Sequence, residues 1–179
     1  MGQDIAGAAA KAFRLLNSPE LRQPARTAPT GRRSPSTTPQ APLDIGLVDY
    51  LDQHYAEVIT HTRALTDGHI PVPRQRDDIY EMCTEALGNA DQAQRLQAQV
   101  MLERHRLEHA VRLGDVNVVC KEFCPGCGCL GLMWAHAAQR ARCTNKRCRT
   151  PDGVASNWTL ARLAAQKVHQ TEKWRRNAT

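Results

Sequence analysis

Four cysteines near the end of the chain have the spacing of metal ligands. Cys124 and Cys127 are separated by two residues in the segment CPGCG, and after a spacer of 15 residues Cys143 and Cys148 are separated by four. Two thiolates at the first spacing can bind one ion, and glycine permits a tight turn whose backbone amides point at sulfur. The pattern predicts one tetrahedral site, and zinc suits four thiolates better than an iron–sulfur cluster does.

The predicted role of this ion is structural, because a site closed by four thiolates has no open position for a catalytic water. The three remaining cysteines are expected to be ordinary thiols. Cys83 is assigned to a helix core, and Cys120 and Cys129 to strands beside the site. The alternatives are that Cys129 acts as a substitute ligand or that a redox switch lies near the site.

The spacer between the two cysteine pairs is predicted to form an antiparallel hairpin. Apolar side chains alternate along its first half, at Leu130, Leu132 and Trp134. In its second half, Arg140 and Arg142 alternate with Ala141 and Cys143. This period of two is typical of strands that return the chain to the metal. A run of valines could add a leading strand, at Val116, Val118 and Val119.

The cysteine segments resemble the zinc-ribbon superfamily. The motifs CPGCGCLGLMW and ARCTNKRCRTPDGVASNWTLARLA are similar to those of small zinc-ribbon proteins of actinobacteria and their phages and plasmids, over about residues 120–165. The resemblance implies a ribbon fold and a zinc ion. Zinc ribbons serve transcription, replication and ribosomes, and they bind either nucleic acid or protein, so the resemblance leaves the activity open.

Residues 158–175 are predicted to form an amphipathic helix capped by Ser156 or Asn157. Its apolar face would comprise Leu160, Leu163, Ala164, Val168 and Trp174. The opposite face carries a basic stripe, made of Arg162, Gln166, His169, Lys173 and Arg176. Further basic residues lie in the ribbon, at Arg140, Arg142, Lys146, Arg147 and Arg149. Together they predict a phosphate-binding surface, the alternative being an ordinary solvated face.

Charge is segregated along the chain. Residues 1–43 carry 6 basic and 2 acidic groups, residues 44–119 carry 7 and 13, and residues 120–179 carry 11 and 3. The net charges are therefore +4, −6 and +8, and they account for the total of +6. This segregation indicates a basic module for a polyanion beside an acidic module that avoids it.

The acidic part, residues 44–115, is predicted to be a three-helix bundle. Asp44 would cap a helix at about residues 45–65, whose core face comprises Val48, Leu51, Tyr55, Val58, Thr62 and Leu65. A second helix follows Asp77 and Asp78 and ends at Gly88, with a core face of Ile79, Met82, Cys83 and Ala86. A third runs from Asp91 to about Leu113, with a face of Ala93, Leu96, Val100, Leu107, Ala110 and Val111. Glu103 interrupts that face.

His105 and His109 could bind a metal, but without an evident third ligand or an HExxH motif a second site is not expected.

The N-terminal part, residues 1–43, offers no core of its own. Residues 4–16 could form a short helix, which we expect to fray because it lacks packing partners. Residues 18–42 contain six prolines and few large apolar residues, so they are predicted to be a disordered basic linker. No run of 18 apolar residues and no signal peptide is present, so the protein is expected in the cytoplasm, or in the host cytosol if a phage encodes it.

The predicted fold class is mostly α with a small β zinc ribbon. Its four parts are residues 1–43, 44–115, 116–157 and 158–179. The predicted function is a zinc-binding, non-enzymatic nucleic-acid-binding accessory or regulatory protein, with DNA as the expected partner and transcription regulation as the expected role. The alternative is an adaptor that docks on a larger protein machine, and the helical part could mediate self-association. No enzyme is predicted, because no nucleophile–base pair, phosphate loop or paired-carboxylate signature is present.

Overall fold

The computed structural model describes residues 2–22, 44–66, 68–69, 73 and 75–178. Within these ranges the chain is mostly helical, with seven α-helices and one three-stranded antiparallel sheet. The helices are α1 (Gly2–Leu16), α2 (Pro19–Arg22), α3 (Ile45–Leu65), α4 (Ile79–Ala86), α5 (Gln92–Arg112), α6 (Asn117–Cys120) and α7 (Leu160–Asn177). The strands are β1 (Leu132–Ala135), β2 (Arg140–Cys143) and β3 (Asn157–Trp158). None of the described helices has the length and apolar character needed to cross a membrane.

Helix α3 begins and ends where the sequence predicts. The side chain of Asp44 accepts a hydrogen bond from the backbone N–H of Leu47, at 3.0 Å, and so caps the first turn. The buried residues are Leu47, Leu51, His54, Val58, Ile59 and Thr62. The predicted face is therefore rotated slightly, since Val48, Tyr55 and Leu65 are only half-buried.

Helices α1, α3, α4 and α5 pack together and are here named the helical body, so the prediction that α1 frays for lack of partners is wrong. Helix α1 packs on α4 and α5. Phe13 is fully buried, with its ring 5.7 Å from that of Tyr80. One face carries the small buried residues Ala6, Ala9 and Ala10, which allow a close approach of the neighbouring helices.

The predicted disordered linker is only partly described. Pro19–Arg22 forms a helical turn, so the prediction is wrong for these residues. Residues 23–43 lie outside the described part of the chain. The two described ends of the segment meet, because the backbone N–H of Asp44 donates to the carbonyl oxygen of Arg22 at 3.1 Å.

Helices α4 and α5 occupy the predicted positions, but the predicted core face is only part of what α5 buries. Helix α4 starts after a short 3-10 turn at Arg76–Asp78 and is followed by another at Leu87–Asn89. Within α5 the buried residues are Ala98, Met101, Leu102, Glu103, His105, Leu107 and His109. Of the predicted stripe, Leu107 is fully buried, Val100 and Val111 are partly buried against core residues, and Ala93 is exposed. Helix α5 packs against α1 and also against α7, so buried positions extend around the helix and include polar side chains.

The segment of residues 121–159, here named the cysteine module, contains the predicted hairpin. Strands β1 and β2 pair antiparallel from Leu132 opposite Cys143 to Ala135 opposite Arg140. The third strand is β3, which pairs Trp158 with Ala141.

The predicted leading strand at Val116, Val118 and Val119 is wrong, because this segment forms the one-turn helix α6. Gly114, with φ 89°, ends the preceding helix, and the Asp115 carboxylate accepts a hydrogen bond from the backbone N–H of Asn117 at 3.2 Å. The turn that results buries Val119 instead of extending the chain.

Helix α7 begins two residues later than predicted. Thr159, rather than Ser156 or Asn157, caps it by accepting a hydrogen bond from the N–H of Arg162 at 3.1 Å. The predicted face is buried at Leu160, Leu163, Ala164 and Val168. Trp174 is 68% exposed, so its assignment to that face is wrong. The helix runs antiparallel to α5, and Trp174 borders an open groove that Arg106 of α5, Lys121 and Phe123 also line, so its ring is covered on one side only.

The buried residues form two clusters that share α5. One joins α1, α3, α4 and α5, and it includes Met101 and Leu102. The other joins the cysteine module to α5 and α7 through Leu107, Leu132 and Leu163. Helix α5 therefore connects the helical body to the cysteine module.

Candidate metal centres

The structure brings the four predicted ligands together. The sulfur atoms of Cys124, Cys127, Cys143 and Cys148 all lie within 4.8 Å of one another. Cys124 Sγ is 3.7 Å from Cys148 Sγ, and Cys127 Sγ is 3.8 Å from Cys143 Sγ. A tetrahedron with metal–sulfur bonds of about 2.3 Å has edges of about 3.8 Å. The four thiols can therefore hold one tetrahedral metal ion.

Local backbone geometry positions these sulfur atoms. The first pair lies in a turn closed by a hydrogen bond from the N–H of Gly128 to the carbonyl oxygen of Cys124, at 2.9 Å, and Gly128 has φ 68°. A side chain at Gly126 would place its Cβ 3.1 Å from the ring of Trp158 and 3.3 Å from Cys148 Sγ. Glycine at both positions therefore lets the turn close tightly over the cluster.

The thiols differ in their tendency to ionise. The backbone N–H of Cys129, which donates to the sulfur of Cys127, is the main cause that lowers the pKa of Cys127 to about 6. Burial is the main cause that raises the pKa of Cys143 to about 12. A bound cation would favour the thiolate form of all four groups, since metal ligands of this kind are deprotonated.

The other cysteines lie apart from this cluster. Cys83 is fully buried in α4, as predicted, and burial raises the pKa of its thiol. Cys120 is exposed on α6, so its assignment to a strand is wrong. Cys129 is exposed in the loop before β1, where its sulfur lies 3.8 Å from the side-chain nitrogen of Asn145. It is also not on a strand.

The basic residues predicted to bind phosphate are all exposed. Arg142, Lys146 and Arg149 surround a shallow groove of about 320 Å³ next to Met133. Arg149 also donates to the carbonyl oxygens of Lys146 and Gly153, so it holds the turn after Cys148 in place. Arg140 instead faces a larger cavity between the cysteine module and the helical body. The positions on α7 are Arg162, His169, Lys173 and Arg176, of which Arg176 lies 3.5 Å from the carboxylate of Glu172.

A second cluster of possible metal ligands comprises His54, His105 and Glu108. His54 Nε2 lies 2.9 Å from Glu108 Oε2, and His105 Nε2 lies 3.2 Å from Glu57 Oε2. Sequence reasoning missed this cluster, because it paired His105 with His109 on one helix and looked for no partner on another. The signal was a repeated motif, since α3 contains His54-x-x-Glu57 and α5 contains His105-x-x-Glu108.

The predicted candidate His109 has another role. Its Nδ1 lies 2.7 Å from the hydroxyl of Tyr50, and its Nε2 lies 2.7 Å from the hydroxyl of Tyr80. The Tyr80 hydroxyl also lies 3.0 Å from His105 Nδ1. Burial lowers the pKa of His109 to about 2 and raises that of Tyr80 above its usual range. Neutral rings and hydroxyls therefore form a continuous buried chain from Tyr50 to His105.

Two clusters with different donor atoms thus stand within the described part of the chain. One offers four sulfur atoms, and the other offers two imidazoles and a carboxylate. No protein family matches the chain, and neither a curated protein nor a solved structure matches it.

Proposed function

We propose that the protein is a zinc-binding, nucleic-acid-binding accessory or regulatory protein that acts by binding and not by catalysis. The observation that carries the proposal is the convergence of four cysteine sulfur atoms within 4.8 Å in the most basic part of the chain. The proposed place of action is the cytoplasm, where such thiols are kept reduced.

Zinc is the proposed ion because its chemistry fits the cluster. Four sulfur donors at tetrahedral spacing suit Zn²⁺, and the CPGCG turn followed by a hairpin resembles a zinc ribbon. Three of the four cysteines are buried among apolar residues of the second core cluster. In this proposal the ion stabilises the cysteine module, because the module has few apolar residues with which to form a core.

The basic surface of the module supports nucleic acid as the partner. Among the ion pairs of the described residues, none involves Arg140, Arg142, Lys146 or Arg147, so these cations are available to phosphate groups. The stripe at Arg162, His169 and Lys173 on α7 adds to this positive surface. The acidic charge of residues 44–119 would keep the helical body away from the same polyanion. We infer that DNA is the partner.

The test is a titration of fluorescently labelled duplex and single-stranded DNA with zinc-loaded protein at several salt concentrations. An affinity carried by phosphate contacts falls with salt, with a slope in log–log form of about −0.9 per contact on duplex DNA. The double variant Arg142→Gln/Lys146→Gln should reduce the magnitude of that slope by up to about 1.8. A matched control is Lys11→Gln/Arg63→Gln, which removes the same charge from exposed positions of α1 and α3.

The control variant should bind DNA with nearly the wild-type affinity and slope. Nucleic-acid binding is rejected if folded, zinc-loaded wild-type protein leaves the anisotropy of both DNA forms unchanged at low salt. It is also rejected at this surface if the two double variants lose affinity equally.

An adaptor role is the second candidate, and one observation favours it. The cysteine module exposes large apolar side chains, with Leu130 60% and Met133 59% exposed. Exposed apolar residues of this kind contact proteins more often than phosphate. An adaptor should co-purify with a defined component of a transcription, replication or phage complex. Met133→Asp should abolish that association, whereas Arg142→Gln/Lys146→Gln should leave it intact.

A further inference from the structure

Helices α3 and α5 carry the same four-residue motif, and the two copies face each other. The first is His54-x-x-Glu57 and the second is His105-x-x-Glu108. The histidine of each copy contacts the glutamate of the other, so the two helices run antiparallel at this point. Two imidazoles and two carboxylates therefore converge on one place between the helices.

The hydrogen bonds of His54 determine where its proton lies. Nδ1 is 2.8 Å from the backbone carbonyl oxygen of Tyr50, which can only accept, so Nδ1 carries a proton. In the neutral ring Nε2 then carries a lone pair and can only accept a hydrogen bond. It faces a carboxylate oxygen of Glu108 at 2.9 Å, and that oxygen is also an acceptor. Two acceptors at this distance require either a proton between them, on the ring or on the carboxyl group, or a metal ion that both atoms bind.

The surroundings of His105 provide a further ligand for the metal ion. Its Nδ1 lies 3.0 Å from the hydroxyl of Tyr80, and that hydroxyl lies 2.7 Å from His109 Nε2. When Nδ1–H of His105 donates a hydrogen bond to the Tyr80 hydroxyl, that hydroxyl donates to His109 Nε2. Nε2 of the neutral His105 ring then carries a lone pair. Metal-bound histidines are held in this way by an outer partner on the second ring nitrogen. Both histidines therefore have that partner on Nδ1 and an Nε2 directed at the carboxylates.

The cluster also has access to solvent. It borders a cavity of about 770 Å³ between the helical body and the cysteine module. His54, Glu57 and Glu108 line one side of it, and Trp134, His136 and Arg140 line the other. The cavity provides a route for an ion and room for a water molecule as the fourth ligand, as three-ligand zinc sites require.

Arg104 decides which carboxylate would bind the ion. Its guanidinium pairs with Glu57, lies 3.9 Å from Glu108 and lies 3.3 Å from His105 Nε2, a contact that an ion bound to that nitrogen would displace. The charge of Glu57, which also contacts His105, is therefore compensated more closely than that of Glu108, whose oxygen lies 2.9 Å from His54 Nε2. This leaves two imidazoles and one carboxylate, whose donor atoms lie within 4.8 Å of one another.

We propose that His54, His105 and Glu108 bind one divalent transition-metal ion, with Zn²⁺ as the ion that suits two imidazoles, one carboxylate and an open position. This site shares no ligand residue with the four-cysteine cluster. Its fourth position opens to the cavity, whereas the cysteine cluster has no position left.

The experiment counts metal ions in the full chain and identifies their donors with Co²⁺ as the probe. Reduced protein should bind two equivalents of Co²⁺. One equivalent should produce the intense near-ultraviolet charge-transfer absorption of cobalt–thiolate bonds. The other should produce only weak visible bands, since nitrogen and oxygen donors give no such charge transfer. Elemental analysis after loading with Zn²⁺ should likewise give two ions per chain.

Variants assign the second equivalent. Glu108→Gln keeps the size of the side chain and removes its charge, and His54→Gln removes the ring. Each should weaken binding of the second equivalent by more than about 100-fold, because loss of a ligand exceeds the 10–100-fold effect of losing an outer partner. The matched controls are Glu85→Gln, on the exposed face of α4, and His61→Gln, two turns after His54 on α3. Both controls should retain two equivalents.

The proposal is overturned by a folded wild-type protein that binds one equivalent of Co²⁺, all of it with thiolate absorption. It is also overturned if Glu108→Gln retains the second equivalent at wild-type affinity. Should His54→Gln fail to fold, the wild-type titration and Glu108→Gln still decide the question.

Discussion

The carboxylate of Glu103, which is fully buried in α5, lies 3.0 Å from the ammonium group of Lys167 in α7. The same carboxylate accepts two hydrogen bonds from Arg106, at 2.8 and 2.6 Å. Glu122 of the cysteine module contacts both cations, at 3.0 Å from Arg106 and 2.7 Å from Lys167. Four alternating charges therefore join the helical body, the cysteine module and the last helix.

Removal of Glu103 should destabilise the protein strongly. Glu103→Ala removes one of the two carboxylates that face Arg106 and Lys167, while Glu122 still contacts both cations. The loss of several charge-assisted hydrogen bonds should lower the free energy of unfolding by about 2–3 kcal/mol, less than the cost of about 3–5 kcal/mol for a buried charge left with no partner. The free energy of unfolding from urea titrations measures the loss. Glu81→Ala is the control, because its ion pair with Arg14 is exposed and should contribute at most about 1 kcal/mol. Equal losses in the two variants would contradict the role assigned to Glu103.

The N-terminal helix should contribute to global stability. Phe13 is fully buried between the rings of Tyr80 and His109, so Phe13→Ala should lower the free energy of unfolding by about 3–5 kcal/mol. Leu15 lies on another face of α1 and is 51% exposed, so Leu15→Ala should change the free energy of unfolding by no more than about 0.5 kcal/mol. Thermal and urea unfolding of both variants provides the measurement. If α1 frayed, Phe13→Ala and Leu15→Ala would both change the free energy of unfolding by equally small amounts.

The four-cysteine cluster should hold one metal ion on which the module depends. Cys143→Ser should lose one equivalent of metal relative to wild type and disrupt β1 and β2, since Cys143 ends β2 and belongs to the second core cluster. Cys129→Ser changes an exposed thiol outside the cluster and should keep the wild-type metal content. Elemental analysis and circular dichroism measure both effects. Unchanged metal content in Cys143→Ser would contradict the assignment.

Thiol alkylation should divide the seven cysteines into three groups. Cys120 and Cys129 are exposed and should react first with iodoacetamide, whereas metal-bound thiolates should react only after chelation. Cys83 should react last, because it is fully buried and burial raises the pKa of its thiol. Mass spectrometry of peptides at increasing times gives the order. Labelling of Cys83 as fast as Cys120 would show that α4 is not packed as described.

The hydroxyl of Tyr80 should stabilise the buried chain of rings. Tyr80→Phe removes the group between His105 Nδ1 and His109 Nε2, and each buried nitrogen left without a partner costs about 1–3 kcal/mol. The same change should weaken the proposed second metal site about 10–100-fold. Tyr55→Phe is the control, since its ring contacts Arg76 at the half-exposed surface of α3. A loss of stability no larger than that of the control would contradict this role for the hydroxyl.

Local sequence signals predicted the elements that depend on local interactions. Helix α3 needs only its Asp44 cap and its apolar period, and the hairpin needs only its alternation and the two cysteine pairs. The four sulfur atoms could be grouped for the same reason, because the spacing of each pair restricts it to one ion. The valines at Val116 to Val119 show the limit, since their β-branched side chains favour a strand but the turn after Gly114 makes them helical.

Features that depend on contacts between distant segments could not be predicted from one sequence. The apolar period of α5 gave only part of its buried face because it counts only apolar residues, whereas Glu103, His105 and His109 are buried through their polar partners. Those partners come from other helices. The same reason explains α1, whose small residues become a packing surface only beside α4 and α5.

The cavity beside His54 has walls that come from two different parts of the fold. Trp134, His136 and Arg140 belong to the β1–β2 hairpin, which the cysteine cluster holds together, while His54 and Glu108 belong to helices packed around an apolar core. A newly made chain that has not yet ordered its hairpin would leave the histidines open on that side. Enclosure of the imidazoles on that side therefore depends on an ordered hairpin.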